Sequence, residues 1–227
     1  MLGTIVNTCT ILAGSLLGSL AKNGIKEKYQ NAMFTAMGLA ATGLGINAVA
    51  QNMPESTFPV LFILSLALGS LLGTLLDIDG CFQRLTARFS SGNLGQGLST
   101  AILLFCIGTL SILGPIQSAL YGDNTYLFTN ATLDLVTSTV LASTYGIGIA
   151  LAAAVLFLWQ GSIFLAAGVL AGFVTPELMT EISIVGGFLI ASSGIGILGI
   201  KDCKTLNMLP SLVVPVIYFL IKGVLGF

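Results

Sequence analysis

The chain reads as an all-α helix bundle embedded in a lipid bilayer, a polytopic protein with about eight transmembrane helices. Three observations predict it. Hydrophobic residues make up 55% of the 227 residues and charged residues 7%. A soluble domain carries about 25% charged residues, so there is too little polar surface here to cover a water-soluble globule. The apolar runs have the length of membrane spans, roughly 17–25 residues. The basic residues cluster in alternate connectors between those runs.

Spans are predicted near 4–21, 29–50, 58–76 and 98–117. The apolar tract over 131–174 is too long for one helix across a ~30 Å core and holds two. No charge marks the turn between them. Trp159-Gln160-Gly161-Ser162 is its most polar candidate, and Tyr145-Gly146-Ile147-Gly148 is the second. Spans near 182–200 and 207–226 complete the set. Between 77 and 97, Phe82, Leu85 and Phe89 recur at helical spacing with Arg84 and Arg88 at other positions. That pattern fits an amphipathic helix on the membrane surface or a solvated connector.

Charge placement favours eight spans over seven. Lys22, Lys26 and Lys28 follow span 1, Arg84 and Arg88 follow span 3, and Lys201 and Lys204 precede the last span. With eight spans all three connectors lie on one side, the cytoplasmic side by the positive-inside rule. The opposite connectors hold Glu55, Asp123, Glu177 and Glu181. Both termini are then outside the membrane. Lys222 is the exception, and it can snorkel to the interface. No basic region precedes the first apolar run, so span 1 is expected to be a permanent helix. Cys9, Cys81, Cys106 and Cys203 lack zinc-ligand spacing and are expected as free thiols.

An internal repeat is visible. Gly38-Leu-Ala-Ala-Thr-Gly43-Leu-Gly45-Ile46 resembles Phe188-Leu-Ile-Ala-Ser-Ser-Gly194-Ile-Gly196-Ile197, and each precedes a proline-containing span, at Pro59 and at Pro210. Gly14 and Gly18 precede the first copy, Gly168 and Gly172 the second. Spans 1–3 thus match spans 6–8 with two spans between, which inverts one copy. That is the plan of many secondary transporters, whose substrates bind near the midplane at the repeat interface. The single membrane domain, 1–227, divides into a first repeat (1–76), central broken helices (98–154) and a second repeat (155–227). Chance similarity between two Gly/Ala/Leu-rich helices is the competing explanation. The GxxxG pairs are close-approach faces for helix pairs or for subunits of a homo-oligomer.

Polar groups and helix breakers concentrate in spans 4 and 5. Asp134 is the one carboxylate well inside an apolar stretch, and a charge at a span centre costs about 2.5–3.5 kcal/mol on insertion scales. Thr137 and Ser138 follow at helical spacing and share its face. Gly108 and the pair Gly114-Pro115 permit unwinding in span 4. Asn7 in span 1 and Gln160 are amides that need partners when buried. These six residues, Asp134, Ser138, Thr137, Asn7, Gln160 and Gly108, form the candidate substrate or ion site. Two plainer readings stand beside it. Small polar residues can simply pack helices. Asn130 or Thr132 can cap the outer end of span 5, which puts Asp134 in the first turn of a helix starting near 132, where the positive end of the dipole favours it.

The whole pattern resembles a known family. Leu2-Gly-Thr-Ile-Val-Asn7-Thr8 with Gly14-Ser-Leu-Leu-Gly18, Phe105-Cys-Ile-Gly108, Leu133-Asp134, Ala142-Ser143, Gln160-Gly161 and Leu209-Pro210 are similar to the YqgA/YdfK-like bacterial membrane proteins, a domain-of-unknown-function family numbered 554. The resemblance spans nearly the whole chain. It implies a multi-pass inner-membrane protein and names no substrate. Thr109-Leu-Ser-Ile departs from the family pattern.

Function classes narrow accordingly. There is no histidine, which excludes histidine-ligated metal sites and Ser/His dyads. An intramembrane aspartyl protease needs two facing carboxylates, and only Asp134 reads as buried. No nucleotide motif and no basic stripe for nucleic acid are present. The leading expectation is a secondary transporter or ion-coupled permease for a small solute or ion, with no catalytic role and no cofactor. A passive channel and a non-transporting scaffold or regulatory protein are the alternatives. The expected partners are the lipid bilayer and a small solute or ion.

Overall fold

A computed structural model describes residues 1–21, 25–87, 92–107, 109–170 and 175–225. The described residues form helices and connecting turns with no strand. Lys22, Arg88, Phe89, Gly108 and Gly172 lie outside them, as do the side chains of Phe82 and Leu85. Among the described residues, six helical stretches are long and apolar enough to cross a membrane.

The chain splits into two compact units. One comprises Met1–Phe34 and Phe82–Ala171, the other Thr35–Cys81 and Gly172–Phe227. In the first unit the main helices are α1 (Leu2–Leu20), α5 (Gly92–Ile107), α6 (Thr109–Tyr121), α7 (Thr125–Tyr145) and α8 (Leu151–Leu170). The second holds most of α2 (Glu27–Asn52), then α3 (Leu61–Leu75), α9 (Pro176–Ile197), α10 (Thr205–Met208) and α11 (Val213–Leu225). The short helix α4 (Ile78–Ala87) begins in the second unit and ends in the first. It makes the 77–97 segment partly helical, while 92–97 belongs to α5.

Two sequence expectations need correction. Span 5 begins at Thr125, where Asp123 Oδ1 accepts from the Thr125 amide at 2.9 Å. It is one unbroken α-helix, and it ends at Gly146 with φ +86. The reversal between spans 5 and 6 is therefore at Gly146, a conformation open to glycine, followed by a 3-10 turn over Ile147–Ala150. Gln160 and Gly161 sit in mid-helix in α8. Polarity misled the sequence reading because backbone geometry, not side-chain polarity, decides where a helix reverses.

The first unit is built on an α1–α7 seam. A methyl at Gly3 would meet Leu127 and Asn124, one at Gly14 would meet Ser138 and the Leu135 carbonyl, and one at Gly18 would meet Thr139 and Ala142. The numbers rise together along both helices, so α1 and α7 run parallel with their backbones close. Asn124 ties the start of this seam by accepting from the Gly3 amide at 3.2 Å and from Ser118 Oγ at 2.8 Å. α8 packs the other way along α1. Ile11 joins Ile149, Ala152, Ala153 and Leu156 in the core with Phe105, Cys106 and Ala142, while Gly161 is nearest Met1.

The second unit is organised around α9. Gly45 lies against Gly187 and Ala191, and Gly194 against Thr42 and the Gly38 carbonyl, so α2 and α9 are antiparallel and close. Gly69 meets Ser211 and Gly73 meets Asn207, which brings α3 alongside the α10–α11 segment. Phe62 stacks on Phe188 with centroids 5.1 Å apart. At one end Lys204 bridges Asp202 at 2.9 Å and Asp79 at 3.4 Å. Hydrogen bonds to those two carboxylates push the Lys204 ammonium pKa upward.

Both units bury small and polar residues and expose large apolar ones. α3 buries Ser65, Gly69 and Gly73 while Leu64, Leu68, Leu71 and Leu75 face outward. α1 buries Gly3, Thr4, Asn7, Gly14, Ser15 and Gly18 and exposes Leu12, Leu16, Leu17 and Leu20. That is the arrangement lipid favours, since leucine gains nothing by leaving an apolar solvent while small residues allow close packing. All four cysteines are free.

The two GxxxG motifs behave differently. A Cβ at Gly14 falls 2.5 Å from the Leu135 carbonyl oxygen, while one at Gly168 meets nothing within 4 Å. Gly14→Ala is expected to cost about 1–3 kcal/mol by overpacking. Gly168→Ala should be neutral or stabilising by up to ~1 kcal/mol through helix propensity. Thermal unfolding of the two purified variants in detergent checks the contrast.

Candidate functional site

The glycine seam determines which polar side chains meet. Buried α1 positions Gly3, Asn7, Gly14 and Gly18 lie on the face that contacts α7. On α7 the buried set includes Leu127, Asn130, Ala131, Asp134, Ser138 and Ala142. With Gly3 opposite 124–127 and Gly14 opposite 135–139, Asn7 comes level with Asn130 and Asp134. The site is thus formed by two parallel helices whose glycines let the backbones approach.

Asp134 is 4% exposed and lies in the third turn of α7. It is therefore no helix cap, and the capping reading fails. Its Oδ2 accepts from Asn130 Nδ2 at 2.9 Å. The fully buried Asn7 carboxamide is within reach of the carboxylate, yet its Nδ2 completes no hydrogen bond. Cys106 on α5 is near enough to feel the Asp134 charge. Among the described residues no Lys or Arg forms an ion pair with Asp134. A buried carboxylate without a cation is expensive, so carboxamide dipoles, a proton or a bound cation must compensate.

A second polar pair lies in the same unit. Gln160 Nε2 on α8 donates to Ser111 Oγ on α6 at 3.0 Å, and both residues are fully buried. Gln160 Oε1 has no partner. Pro115 inside α6 has no amide to return to the Ser111 carbonyl. Thr4 Oγ1 and Ser15 Oγ on α1 are buried without partners as well. Such groups are rare in folded proteins. Here they leave donors and acceptors free to bind a small polar ligand or water. Among the described residues no three His, Cys, Asp or Glu side chains gather as a metal set.

The family model described as "Protein of unknown function (DUF554)" matches residues 2–220. The chain belongs to that family. It is 58% identical over 224 residues to "Uncharacterized membrane protein YdfK" of Bacillus subtilis (strain 168), covering 98% of each chain. It is 28% identical over 225 residues to "Uncharacterized protein YqgA" of Escherichia coli (strain K12), covering 93% of each. No solved structure matches. The chain is a membrane protein of this family and resides in a lipid bilayer.

Of the six residues singled out by sequence in this DUF554 chain, the structure brings Asp134 and Asn7 together. Thr137 and Ser138 are buried on the same helix. The Ser138 hydroxyl donates to the Leu135 carbonyl at 3.1 Å and faces Gly14, so it serves the helix seam. Gln160 pairs with Ser111. Gly108 lies outside the described residues. The hydrogen-bond partner of Asp134 is the Asn130 carboxamide, with that of Asn7 within reach.

Sequence reading missed three residues. Asn130 was weighed only as a cap, and Ser111 not at all. Glu181 was placed in an outer connector, but it is fully buried within α9. This overturns the premise that Asp134 is the only buried carboxylate. The signal was present. Thr175 caps α9 by accepting from the Leu178 amide at 3.2 Å, and Pro176 follows at the first helical position. A Thr-Pro-Glu start is a helix-opening signature, which puts Glu181 inside the helix.

Asp134→Ala leaves the Asn130 donor unpaired and is expected to cost about 1–3 kcal/mol. Asp134→Asn removes the buried charge while keeping an acceptor, and should be neutral or stabilising. Unfolding midpoints of both variants in one detergent test the order.

Proposed function

We propose that this chain is a secondary transporter or ion-coupled permease for a small solute or ion, with no catalytic activity. The polar cluster of α1 and α7 is its binding site. The observation that carries this reading is Asp134, a carboxylate enclosed in mid-helix without a basic partner and flanked by an unpaired Asn7 donor. Ionisable groups inside membrane helices mark ion and substrate pathways. The Gln160–Ser111 pair, on a helix that carries Pro115, offers the same chemistry. The site has oxygen acceptors and amide donors and suits a proton, a monovalent cation or a small zwitterion.

The topology proposed with it has eight spans: α1, α2, α3, α5 with α6, α7, α8, α9, and the α10–α11 segment. Parallel α1 and α7, and antiparallel α2 and α9, are the directions that eight alternating spans require. Both termini then face outward from the cytoplasmic membrane. Spans 1–3 and 6–8 form an inverted repeat in this reading. One constant shift relates Gly43 to Gly194, Gly45 to Gly196 and Pro59 to Pro210. The α2–α9 approach includes Thr42 against Gly194, positions that the shift nearly equates, as a two-fold axis across an antiparallel pair requires. Spans 1 and 6 fall in one unit, and spans 2, 3, 7 and 8 in the other, so every matched pair stays together.

Two measurements test the reading. A panel of ions and small metabolites should contain at least one that raises the melting temperature of purified protein, because a ligand bound to the native state stabilises it. Asp134→Asn should lose that ligand's shift, and a shift retained in full would refute the role of Asp134. Cys203 should resist a membrane-impermeant thiol reagent applied to intact cells and react after permeabilisation. Labelling from outside would reject the proposed orientation.

A further inference from the structure

The two polar pairs of the first unit converge. A methyl at Gly3 of α1 and one at Gly114 of α6 would both meet Leu127 of α7. α6 and α7 are antiparallel, since Ser118 bonds Asn124 while Gly114 lies at Leu127. About one helical turn further along, Ser111 comes level with Asn130 from the α6 side and Asn7 does so from the α1 side. α8 runs against α1, with Gly161 nearest Met1 and Leu156 in the same core cluster as Ile11. Side chains lean toward the N-terminus of their own helix. Gln160 therefore leans from the Met1 end toward Asn7, Ser111 leans toward Asp134, and Asp134 leans back toward both. The bond from Gln160 Nε2 to Ser111 Oγ at 3.0 Å closes a ring made by four helices.

Inside the ring, Gln160 Oε1 is fully buried with no partner. Ser111 Oγ accepts from Gln160 and keeps a second lone pair. The Ser111 carbonyl receives no amide hydrogen from Pro115. Asp134 is the one buried carboxylate of this unit among the described residues, and Asn130 holds one of its oxygens. Asn7 Nδ2 is a donor within reach of that carboxylate. We infer that the ring binds one small monovalent cation, an alkali ion or ammonium, stripped of its water and held by Gln160 Oε1, Ser111 and the Asp134 carboxylate. One carboxylate balances one positive charge, and a divalent ion would leave a surplus in a buried place. Hydroxyl, amide and carboxylate oxygens are hard ligands that suit alkali ions, and the same oxygens accept from ammonium. A proton on Asp134 removes its charge but leaves Gln160 Oε1 unsatisfied. A cation between them answers both. The inference rests on the reading of the α1–α7 cluster as a binding site and extends that site to α6 and α8.

Equilibrium binding to the purified protein tests it, with radiolabelled sodium, rubidium (for potassium) and methylammonium (for ammonium), and choline chloride holding the ionic strength constant. At least one should bind saturably and be displaced by its unlabelled salt. Sodium or rubidium binding identifies an alkali site, and methylammonium alone an ammonium site. Asp134→Asn should abolish the binding. Gln160→Met keeps the length of the side chain without Oε1 and should weaken it by about tenfold or more. Glu181→Gln, at the buried carboxylate of the other unit, should leave it unchanged in protein that elutes as the wild type does. No saturable binding of any of the three would leave an internal water as the occupant and overturn the assignment. So would binding unaltered in Asp134→Asn or Gln160→Met, or binding lost in correctly eluting Glu181→Gln. This failure is separable from that of the transport reading. A neutral solute whose stabilisation is lost in Asp134→Asn, with no cation bound, removes the ion and keeps the transporter. A cation bound with these variant effects, without flux into proteoliposomes, keeps the ion and removes the transporter.

Discussion

Helices in lipid have no solvent-driven reason to associate, so the contact between α1 and α7 is the constraint on which the first unit depends. It works through Gly3, Gly14 and Gly18, which bring the α1 backbone against Leu127, the Leu135 carbonyl and Thr139. Close approach multiplies dispersion contacts and lets short polar side chains reach across. The position of Asn7 beside Asn130 and Asp134 is a by-product of this packing. A bulkier seam would separate the helices and leave the carboxylate without the second carboxamide.

The two units use different means to keep a carboxylate out of water. In the first, Asp134 is bonded by a carboxamide four residues earlier on its own helix. In the second, Glu181 is bonded by a hydroxyl and a backbone amide from a connector far away in sequence. The first arrangement is local and rigid, since both partners ride on α7. The second depends on where the α2–α3 connector rests.

Much of this was legible in the sequence. Composition and run length gave the all-helical membrane class, because both follow from the bilayer's thickness and polarity. Asp134 stood out for the same reason, and the Gly14/Gly18 pair marked a face that is indeed in close contact. Other features were hidden. Asn130 interrupts the apolar run, so hydropathy alone started span 5 at 131 and overlooked Asp123-Asn124-Thr125, the turn that opens α7. Gly146 and the Trp159–Ser162 segment both looked like turns, and only backbone conformation separates them. Ser111 gave no signal, because the value of a serine in α6 depends on Gln160 arriving from α8. Pairings across helices are set by rotation and register, which short apolar spans encode weakly.

The parallel seam also sets the timetable of assembly in the cell. Asn7 and Asn130 are neighbours in space but far apart in the order of synthesis. At ~5–20 residues per second, α1 waits roughly 6–25 s for its partner to leave the ribosome. Through that interval its Thr4, Asn7 and Ser15 stripe has no α7 to cover it. The first helix made is thus among the last to be completed, and it needs lipid or the insertion machinery as a temporary neighbour. Chains truncated before Thr125 keep that stripe bare, which gives membrane quality control a feature by which to tell unfinished copies from finished ones.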